Sequence, residues 1–450
     1  MDLKGKKVTV LGMGKSGLSA VRLLLREGAT PVAIDDRKTP SEMPGELKGL
    51  SVTFKGKNWN EKDFTTASLV IASPGISPGH PGLVQAKKNR IPVIGELELA
   101  ARFFDPRTLF TVTGTNGKST TVTLLGEIFR EAGKRTFTGG NLGVPASEGA
   151  ISEPPGGWEA VVLELSSFQL ETIEVFRPHA GAILNVTPDH GDRYGSIQEY
   201  AAAKFRMFEQ QTAEDFAVLN HDDPLIRDYP VSLRSRLIWF STAEKLEAGA
   251  WVEGGQLFMN LDGRKSLLCD VKKSRLKGRH NLENIAAASV LAALGGISRD
   301  VIQKVVGRFK GLEHRLEEVR TVKGIAFIND SKGTNTGAVL RSLDAVDPPV
   351  ILIAGGREKG GGFLDLLPLI RKKVRVVVLI GEAAPRMREE WNGATEIHDA
   401  ASLDEAVGMA FSIAREGETV LLSPACSSYD MFKDYEERGR RFKDAVGRLS

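Results

Sequence analysis

Residues 110–120 read FTVTGTNGKST, and this stretch decides how the rest of the chain is interpreted. Its first four residues, Phe110–Thr113, are aromatic or β-branched and have the pattern of a short buried strand. A glycine-rich turn follows, and the amphipathic helical pattern after the turn stops at Gly133. A strand, such a turn and a helix form a phosphate cradle, in which backbone N–H groups and the helix dipole meet the anion.

Two residues of the turn indicate nucleotide chemistry. Lys118 would reach the β- and γ-phosphates, and the Ser119 hydroxyl would be a ligand of Mg²⁺. The general P-loop has a glycine at the position that Val112 occupies here, so the motif departs from that pattern. The strand and helix around the turn still favour a nucleotide site.

A second glycine pattern, Gly12-x-Gly14-x-x-Gly17, follows an apolar run and opens a helical pattern. Asp35 closes the next apolar run. This is the dinucleotide fingerprint, in which the backbone approaches a pyrophosphate at a helix N-terminus. Because a nicotinamide dinucleotide and a UDP-sugar both carry a pyrophosphate, the motif predicts a Rossmann-like block and leaves its ligand open.

Apolar runs alternate with helical patterns along the chain, which is typical of α/β layers with parallel sheets. Composition shifts mark candidate boundaries near residues 95–108 and 308–316, and alternating residues in 241–275 predict a β-meander. The predicted buried strands are Val8–Leu11, Val32–Ile34, Leu69–Ala72, Phe110–Thr113, Val161–Leu165, Ala182–Asn185, Val350–Ala354, Val376–Ile380 and Val420–Leu422.

Charge and cysteine content exclude several classes of protein. Sixty Lys and Arg against 57 Asp and Glu give a formal charge of +3 without a basic tract, so we expect no nucleic-acid partner. The two cysteines, Cys269 and Cys426, are far apart and predict a reducing compartment. No apolar run approaches the roughly 20 residues that span a bilayer, and the N-terminus has no signal-peptide core. We therefore expect a cytoplasmic protein without membrane insertion.

Three further residues could be part of a metal site, but none of them indicates one by itself. Glu164 lies in an apolar strand, where a Mg²⁺ partner would explain a buried charge; a paired or edge-strand acid is the alternative. His190 follows Asn185 and Asp189 and could be a metal ligand, although a lone His is more often a hydrogen-bonded structural residue. Lys204 lies in a helical pattern and, taken alone, indicates an exposed lysine.

Taken together, these residues resemble the Mur ligase family over essentially the whole chain. In that family, too, the early P-loop glycine is absent. The resemblance implies a Rossmann-like UDP-binding domain at 1–97, a central P-loop ATPase domain with a parallel-rich sheet at 98–311, and a C-terminal Rossmann-like domain at 312–450. It is carried by Gly114–Thr120, Glu164–Gln169, Asn185–His190, Gly278–Asn284, His314-Arg315, Asn329–Asn335 and Ser423–Ser428.

Within the family, the sequence is most similar to the members that add D-glutamate. The resemblance implies an ATP-dependent, amide-bond-forming ligase of peptidoglycan precursor synthesis, acting as a monomer on UDP-N-acetylmuramoyl-L-alanine, D-glutamate and ATP. The precursor carboxylate would become an acyl phosphate, which the D-glutamate amine then attacks. Because two anions must be brought together for this step, two Mg²⁺ ions are expected.

The resemblance also implies roles for single residues. Ser119 and Glu164 would hold the first Mg²⁺, and His190 and a carbamate formed on Lys204 from CO2 would hold the second. The implied catalytic residues are Lys118, Glu164, His190, Lys204, Asp330 and Lys332. The implied ATP-binding residues are Gly114, Thr115, Asn116, Gly117, Lys118, Ser119, Thr120, Asn281 at the adenine, Arg315 at the phosphates and Asp330 at the ribose or metal shell.

The two other substrates have implied sites at either end of the chain. Lys359 and Ser428 would bind the two D-glutamate carboxylates, which need cations or directed donors. The implied precursor-binding residues are Ser16, Asp36, Arg37, Gly75, Asn141 and His190. The implied D-glutamate-binding residues are Thr334, Lys359, Ser428, Tyr429 and Tyr435.

Other functions explain less of the sequence. A nicotinamide-dependent oxidoreductase would leave Gly114–Ser119 unexplained, and a P-loop switch would leave the first block unexplained. Within the family, L-alanine-adding ligases usually have His where Asn116 stands, diamino-acid-adding ligases have an Asn-Pro-Arg signal that is absent here, and folylpolyglutamate synthetases lack the first block. The mechanism needs no nucleophilic Cys426. We also expect a hinge near 308–316.

Overall fold

The computed structural model describes residues 1–141, 143–189, 191, 193–276, 278–358, 360 and 362–450. Its strands form three sheets with five, nine and six strands. The chain divides into two compact units, of which the first holds the first two sheets and the second holds the third. These units are Met1–Ser274 with Glu283–Arg308, and Arg275–Leu282 with Phe309–Ser450. The predicted α/β class with three sheet-containing blocks is confirmed.

The first sheet is parallel throughout. Its strands are β1 Lys7–Leu11, β2 Thr30–Ile34, β3 Thr53–Gly56, β4 Leu69–Ala72 and β5 Val93–Gly95, in the order β3-β2-β1-β4-β5. Its helices are α1 Lys15–Arg26, α2 Glu61–Thr65, α3 Pro81–Lys88 and α4 Glu96–Ala101. Because the strand order reverses between β1 and β4, the loops after these two strands leave a crevice at the carboxyl edge of the sheet.

The second sheet is parallel from β7 to β12 and antiparallel beyond. Its strands are β6 Leu109–Thr113, β7 Thr136–Gly140, β8 Ala160–Glu164, β9 Ala180–Ile183, β10 Phe216–Asn220, β11 Arg236–Ser241, β12 Gly249–Glu253, β13 Gln256–Leu261 and β14 Arg264–Asp270. The order is β14-β13-β12-β11-β10-β9-β6-β8-β7. Its helices are α5 Lys118–Glu131, α6 Ala146–Ile151, α7 Ser167–Leu170, α8 Ile197–Phe205, α9 Pro224–Arg227, α10 Arg279–Leu294 and α11 Arg299–Arg308. The antiparallel strands β12 to β14 confirm the predicted meander.

The third sheet forms the core of the second unit. Its strands are β15 Glu317–Val322, β16 Ile325–Asn329, β17 Val350–Gly355, β18 Val374–Ile380, β19 Glu396–Asp399 and β20 Thr419–Leu422, in the order β15-β16-β20-β17-β18-β19. Only β15 is antiparallel to its neighbour. Its helices are α12 Thr336–Ala345, α13 Leu367–Lys373, α14 Ala384–Glu390, α15 Leu403–Ile413 and α16 Tyr435–Gly447.

The strands predicted from the sequence are largely buried in the structure. Along β17, Val350 and Leu352 enter one apolar cluster and Ile351 and Ile353 enter another, so both faces are covered. All nine predicted buried strands are confirmed, although the run predicted at Ala182–Asn185 forms a strand at Ala180–Ile183. Among the described residues, no helix is both long and apolar enough to cross a membrane.

Candidate active site

The glycine-rich turn between β6 and α5 has the shape of an anion cradle. Gly114 and Gly117 have φ angles of +148° and +86°, which residues with a side chain rarely adopt. A Cβ atom on Gly117 would lie 2.2 Å from Asn284 Oδ1, so only glycine fits there. Helix α5 begins at Lys118 immediately after this turn, and its N-terminus carries the partial positive charge that favours a phosphate.

Asn185, just after β9, holds the turn in place. Its carbonyl accepts the Thr115 N–H at 2.9 Å, and its Oδ1 accepts the Asn116 N–H at 2.8 Å. Its Nδ2 donates to the Asn116 carbonyl at 3.1 Å. The sequence motif that begins at Asn185 therefore supports the backbone of the cradle.

Lys118 lies folded over the turn. Its Nζ donates to the carbonyls of Gly114 and Thr115 at 2.8 and 2.9 Å. Ser119 and Thr120 are buried beside it, and among the described residues the Thr120 hydroxyl has no hydrogen-bond partner. An ammonium group and two hydroxyls at one helix N-terminus are a donor set that fits a nucleotide with Mg²⁺.

Glu164 lies at the same edge of the sheet as the cradle. It ends β8, which runs parallel to β6, and it is opposite Val112 in the register. Its carboxylate is 3% exposed, and its Oε1 accepts a hydrogen bond from Asn141 Nδ2 at 2.9 Å. The Asn141 N–H also donates to the Glu164 carbonyl at 2.8 Å. A buried carboxylate and the Ser119 hydroxyl, at the same edge of the sheet, are oxygen ligands of the kind that Mg²⁺ prefers, so these residues fit the ion.

Lys204 is buried rather than exposed. Within α8 it is 1% exposed, and its Nζ lies 4.1 Å from the centroid of the Tyr200 ring. Burial lowers the pKa of Lys204 well below its usual range, the charge of Lys118 lowers it further, and Asp189 opposes the change. A lysine reacts with CO2 as the neutral amine, which is the form that this environment favours. The site therefore fits a lysine carbamate.

A cavity of about 480 Å³ lies at the carboxyl edge of the first sheet. Ser73 Oγ donates to the Gly12 carbonyl at 2.8 Å, and a Cβ atom on Gly17 would lie 1.8 Å from the Gly12 oxygen, so the turns are closely packed. Asp35 is buried and accepts the Met13 N–H at 2.9 Å, which shapes the glycine-rich turn. Four of the predicted precursor-binding residues line the cavity together: Ser16, Asp36, Arg37 and Gly75.

In the second unit, Asp330 follows β16 and is 4% exposed. Its Oδ2 accepts the hydroxyls of Ser342 and Ser423 at 2.6 and 2.7 Å, and its Oδ1 accepts the Leu316 N–H at 3.3 Å. Burial raises the pKa of Asp330, and these hydrogen bonds oppose the rise. Asp330 therefore joins several segments of its own unit.

Arg315 and Asn281 belong to the same unit. Arg315 Nε is buried, and among the described residues it has no hydrogen-bond partner. Burial lowers the pKa of His280 to about 4, and the charges of Arg341 and Arg315 add to that effect. The Asn281 side chain is largely buried, next to His280 in α10. A cationic region of this kind suits phosphate oxygens.

The residues predicted for D-glutamate, and Lys332, which is predicted to be catalytic, differ in their surroundings. Lys332 Nζ lies 5.3 Å from the centroid of the Tyr435 ring, and the Thr334 N–H donates to the Lys332 carbonyl at 2.8 Å. Ser428 is buried, whereas Tyr429 is 64% exposed. Two other predicted residues, His190 and Lys359, lie outside the described residues.

Arg438 is a residue of this region that the sequence did not reveal. Its side chain is 1% exposed, and burial lowers its pKa to about 10. It donates to the Ser331 hydroxyl and carbonyl at 3.0 and 2.8 Å, and to the carbonyls of Cys426 and Ser427 at 3.2 and 3.4 Å. Arg438 thus ties the segment before Lys332 to the segment before Ser428.

A parallel-rich sheet that carries this cradle defines a P-loop-type nucleotide-binding α/β protein. Three family models match the chain: the Mur ligase MurD-like N-terminal domain over residues 6–95, the Mur ligase middle domain over 112–292 and the Mur ligase glutamate ligase domain over 314–426. The chain belongs to the Mur ligase family, whose members are ATP-dependent ligases that form amide bonds.

Curated relatives match over their full length. The chain is 45% identical to a UDP-N-acetylmuramoylalanine–D-glutamate ligase from Trichlorobacter lovleyi, and the match covers 100% of both chains. It is 44% identical to the ligase of the same name from Geotalea daltonii, over 100% of this chain and 99% of the relative.

Solved structures of low identity share the fold. A pseudomurein peptide ligase type C from Methanothermus fervidus matches with a TM-score of 0.62 at 18% identity, over 99% of this chain and 100% of that one. A MurF ligase from Thermotoga maritima in complex with ADP matches with a TM-score of 0.62 at 17% identity, over 100% of this chain and 97% of that one.

Proposed function

We propose that the chain joins D-glutamate to UDP-N-acetylmuramoyl-L-alanine at the expense of ATP, in cytoplasmic synthesis of peptidoglycan precursors. The observation that carries this proposal is the glycine cradle at the start of α5, with buried Glu164 at the same edge of the sheet. The full-length similarity to relatives named as D-glutamate ligases supports the choice of substrates.

The cradle would bind and orient the ATP phosphates. Lys118, which now donates to two backbone carbonyls, would exchange these partners for phosphate oxygens at little cost. The proposed ATP-binding residues of the turn are Gly114, Thr115, Asn116, Gly117, Lys118, Ser119 and Thr120. We also propose contacts from Asn281 to the adenine, from Arg315 to the phosphates and from Asp330 to the ribose or metal shell.

The proposed metal ligands are oxygen and nitrogen donors of the first unit. Ser119 and Glu164 would hold one Mg²⁺, and His190 and a carbamate on Lys204 would hold a second. Bound Mg²⁺ supplies the charge neutralisation that lets the γ-phosphate approach the precursor carboxylate. The buried environment of Lys204 supports the carbamate, because it favours the neutral amine.

The precursor would occupy the cavity at the edge of the first sheet, with its pyrophosphate at the N-terminus of α1. Ser16, Asp36, Arg37 and Gly75 would contact its UDP part. Asn141 is a further residue proposed for the UDP end, and His190 is also proposed to bind the precursor. Because Asn141 donates to Glu164, it would orient the carboxylate of a metal ligand and the substrate together.

D-glutamate would bind in the second unit. Lys359 and Ser428 would hold its carboxylates, with Thr334, Tyr429 and Tyr435 around it. Lys332 would be a catalytic residue, whose ammonium group stabilises charge that develops in the reaction. We propose the domain boundaries 1–97, 98–311 and 312–450, and a monomeric enzyme.

The test is a comparison of amine donors. Purified protein with ATP, Mg²⁺ and UDP-N-acetylmuramoyl-L-alanine should release phosphate with D-glutamate and not with L-glutamate, L-lysine or meso-diaminopimelate. Release with another of these donors would refute the D-glutamate assignment. Phosphate release with no dependence on precursor or donor would refute the ligase assignment.

A further inference from the structure

Arg193 connects the loop beside the precursor cavity to the region around Lys204. Its Nη1 donates to the Ile76 carbonyl at 3.3 Å, and Ile76 lines the cavity. Its Nη2 and Nε donate to the two carboxylate oxygens of Glu171 at 2.5 and 3.3 Å. The guanidinium carbon lies 5.0 Å from the centroid of the Phe168 ring. The guanidinium therefore has partners on three sides.

Glu171 continues this connection toward Lys204. Its carboxylate accepts the Tyr194 hydroxyl at 2.6 Å. The Tyr194 ring lies 5.2 Å from the ring of Tyr200, which is the ring that Lys204 Nζ contacts. A continuous series of contacts thus runs from the precursor cavity to Lys204 within the first unit.

We propose that Arg193 is a positioning residue for the UDP-linked precursor. By binding Ile76 and Glu171 at once, it fixes residues 73–76 relative to Glu171, whose carboxylate also holds Tyr194 beside the helix that carries Lys204. A bidentate guanidinium–carboxylate pair sets direction as well as distance, and a lysine cannot replace it in both contacts. This inference rests on the proposed function, because it concerns the cavity that would hold the UDP part of the precursor.

The chain offers a matched control for this role. Arg206 also binds Glu171, through the Glu171 carbonyl at 2.5 Å, and it binds the Ile173 carbonyl at 3.1 Å. Its hydrogen-bond partners lie outside residues 73–76. A variant of Arg206 therefore removes contacts to the Glu171 and Ile173 carbonyls and leaves the hydrogen bond from Arg193 to Ile76 in place.

We expect Arg193→Ala to raise the KM for the precursor roughly tenfold, as loss of a charged hydrogen bond does, with kcat and the KM for ATP within about twofold. Arg193→Lys should recover part of the loss, and Arg206→Ala should leave the precursor KM within about twofold. In the unliganded protein, amide exchange at Gly75–Ser77 should be faster in Arg193→Ala than in wild type or Arg206→Ala.

Each outcome is decisive. An unchanged precursor KM in Arg193→Ala, in a wild-type enzyme that makes the amide, would overturn the inference and leave the proposed function intact. Equal effects of Arg193→Ala and Arg206→Ala would also overturn it, because they would indicate general loosening. If wild type makes no amide, the proposed function fails separately, and unchanged exchange at Gly75–Ser77 would overturn the inference by itself.

Discussion

The side-chain oxygen of Asn284 occupies the space beside Gly117 so closely that a Cβ atom there would lie 2.2 Å away. We therefore expect Gly117→Ala to abolish nucleotide binding and to cost about 1–3 kcal/mol of stability through overpacking and the unfavourable φ angle. Fluorescent ATP-analogue binding and thermal unfolding would measure both effects.

Gly133 supplies the control for this substitution. Its φ angle of +77° is similar, and nothing lies within 4 Å of a Cβ atom built on it. Gly133→Ala should show only the backbone strain, about 1 kcal/mol, with normal nucleotide affinity. Equal loss of nucleotide binding in both variants would contradict the packing argument.

Glu164→Gln should keep the fold and lose the metal. The Gln oxygen can still accept the hydrogen bond from Asn141, whereas the neutral amide is a poor Mg²⁺ ligand. We expect the Mg²⁺ concentration for half-maximal activity to rise roughly tenfold or more, with unchanged thermal unfolding of the free protein. Mg²⁺ titration of phosphate release measures this, and an unchanged Mg²⁺ dependence would remove Glu164 from the metal site.

Lys204→Arg should prevent carbamate formation, because a guanidinium group stays protonated and does not react with CO2. We expect wild type in ¹³C-bicarbonate to show a carbamate carbon signal that the variant lacks, and activity to fall roughly a hundredfold. Lys272, which is exposed, offers a control in Lys272→Arg. A signal that persists in Lys204→Arg would contradict the carbamate assignment.

Arg438→Met should weaken the contact between the Lys332 and Ser428 segments. The variant removes this donor from the carbonyls of Ser331, Cys426 and Ser427, of which Ser427 keeps the Arg357 N–H at 3.0 Å. Loss of a buried hydrogen-bond partner costs about 1–3 kcal/mol. We expect the KM for D-glutamate to rise more than the KM for the precursor. Initial-rate kinetics would measure both constants.

The same helix provides the control for Arg438. Arg440 is also on α16 and is exposed, so Arg440→Met should leave stability and both KM values unchanged. A D-glutamate KM that stays at the wild-type value in Arg438→Met would show that Arg438 has a purely structural role.

Glu96 gives a pH-dependent prediction. It is 1% exposed, its Oε1 accepts the Ser147 N–H at 2.6 Å, and burial raises its pKa from 4.5 to about 7. Because the pKa of Glu96 is higher in the folded than in the unfolded protein, its contribution to the free energy of unfolding is fully present below about pH 4.5. About 3 kcal/mol of this contribution is lost as the pH rises to about 7 and beyond. Glu96→Gln removes this ionisation.

Urea unfolding at pH 5 and pH 8 would test that account. The free energy of unfolding of Glu96→Gln, relative to that of wild type, should be larger at pH 8 than at pH 5. The control Glu153→Gln, at an exposed position, should have the same free energy of unfolding as wild type at both pH values. A difference between Glu96→Gln and wild type that does not change with pH would show that Glu96 does not titrate in this range.

The nine strands that the sequence predicted are short apolar runs, and in β17 both faces are covered. The interior strands β10 and β16 were not predicted. The sequence also did not predict β3 or β19, whose edge positions leave polar residues such as Thr53 and Glu396 in the strand. Edge strands have one uncovered side, so the apolar signal is weak there.

The candidate site could be predicted where the backbone conformation requires glycine, as at Gly114 and Gly117. The role of Lys204 was predicted only from the family resemblance. Burial of Lys204 could not be predicted, because the packing of α8 depends on residues distant in sequence. Arg438 was missed for the same reason: an arginine in a polar helix gives no sign that its partners are carbonyls 107 and 12 residues away.

The most direct test of the proposed reaction uses UDP-N-acetylmuramoyl-L-alanine labelled with ¹⁸O in its carboxylate. After turnover with ATP, Mg²⁺ and D-glutamate, mass spectrometry would follow both the amide product and the released phosphate. The acyl-phosphate route predicts the amide and one labelled oxygen in each phosphate, because the activated carboxylate oxygen leaves with phosphorus. No amide, or an amide formed with unlabelled phosphate, would contradict it.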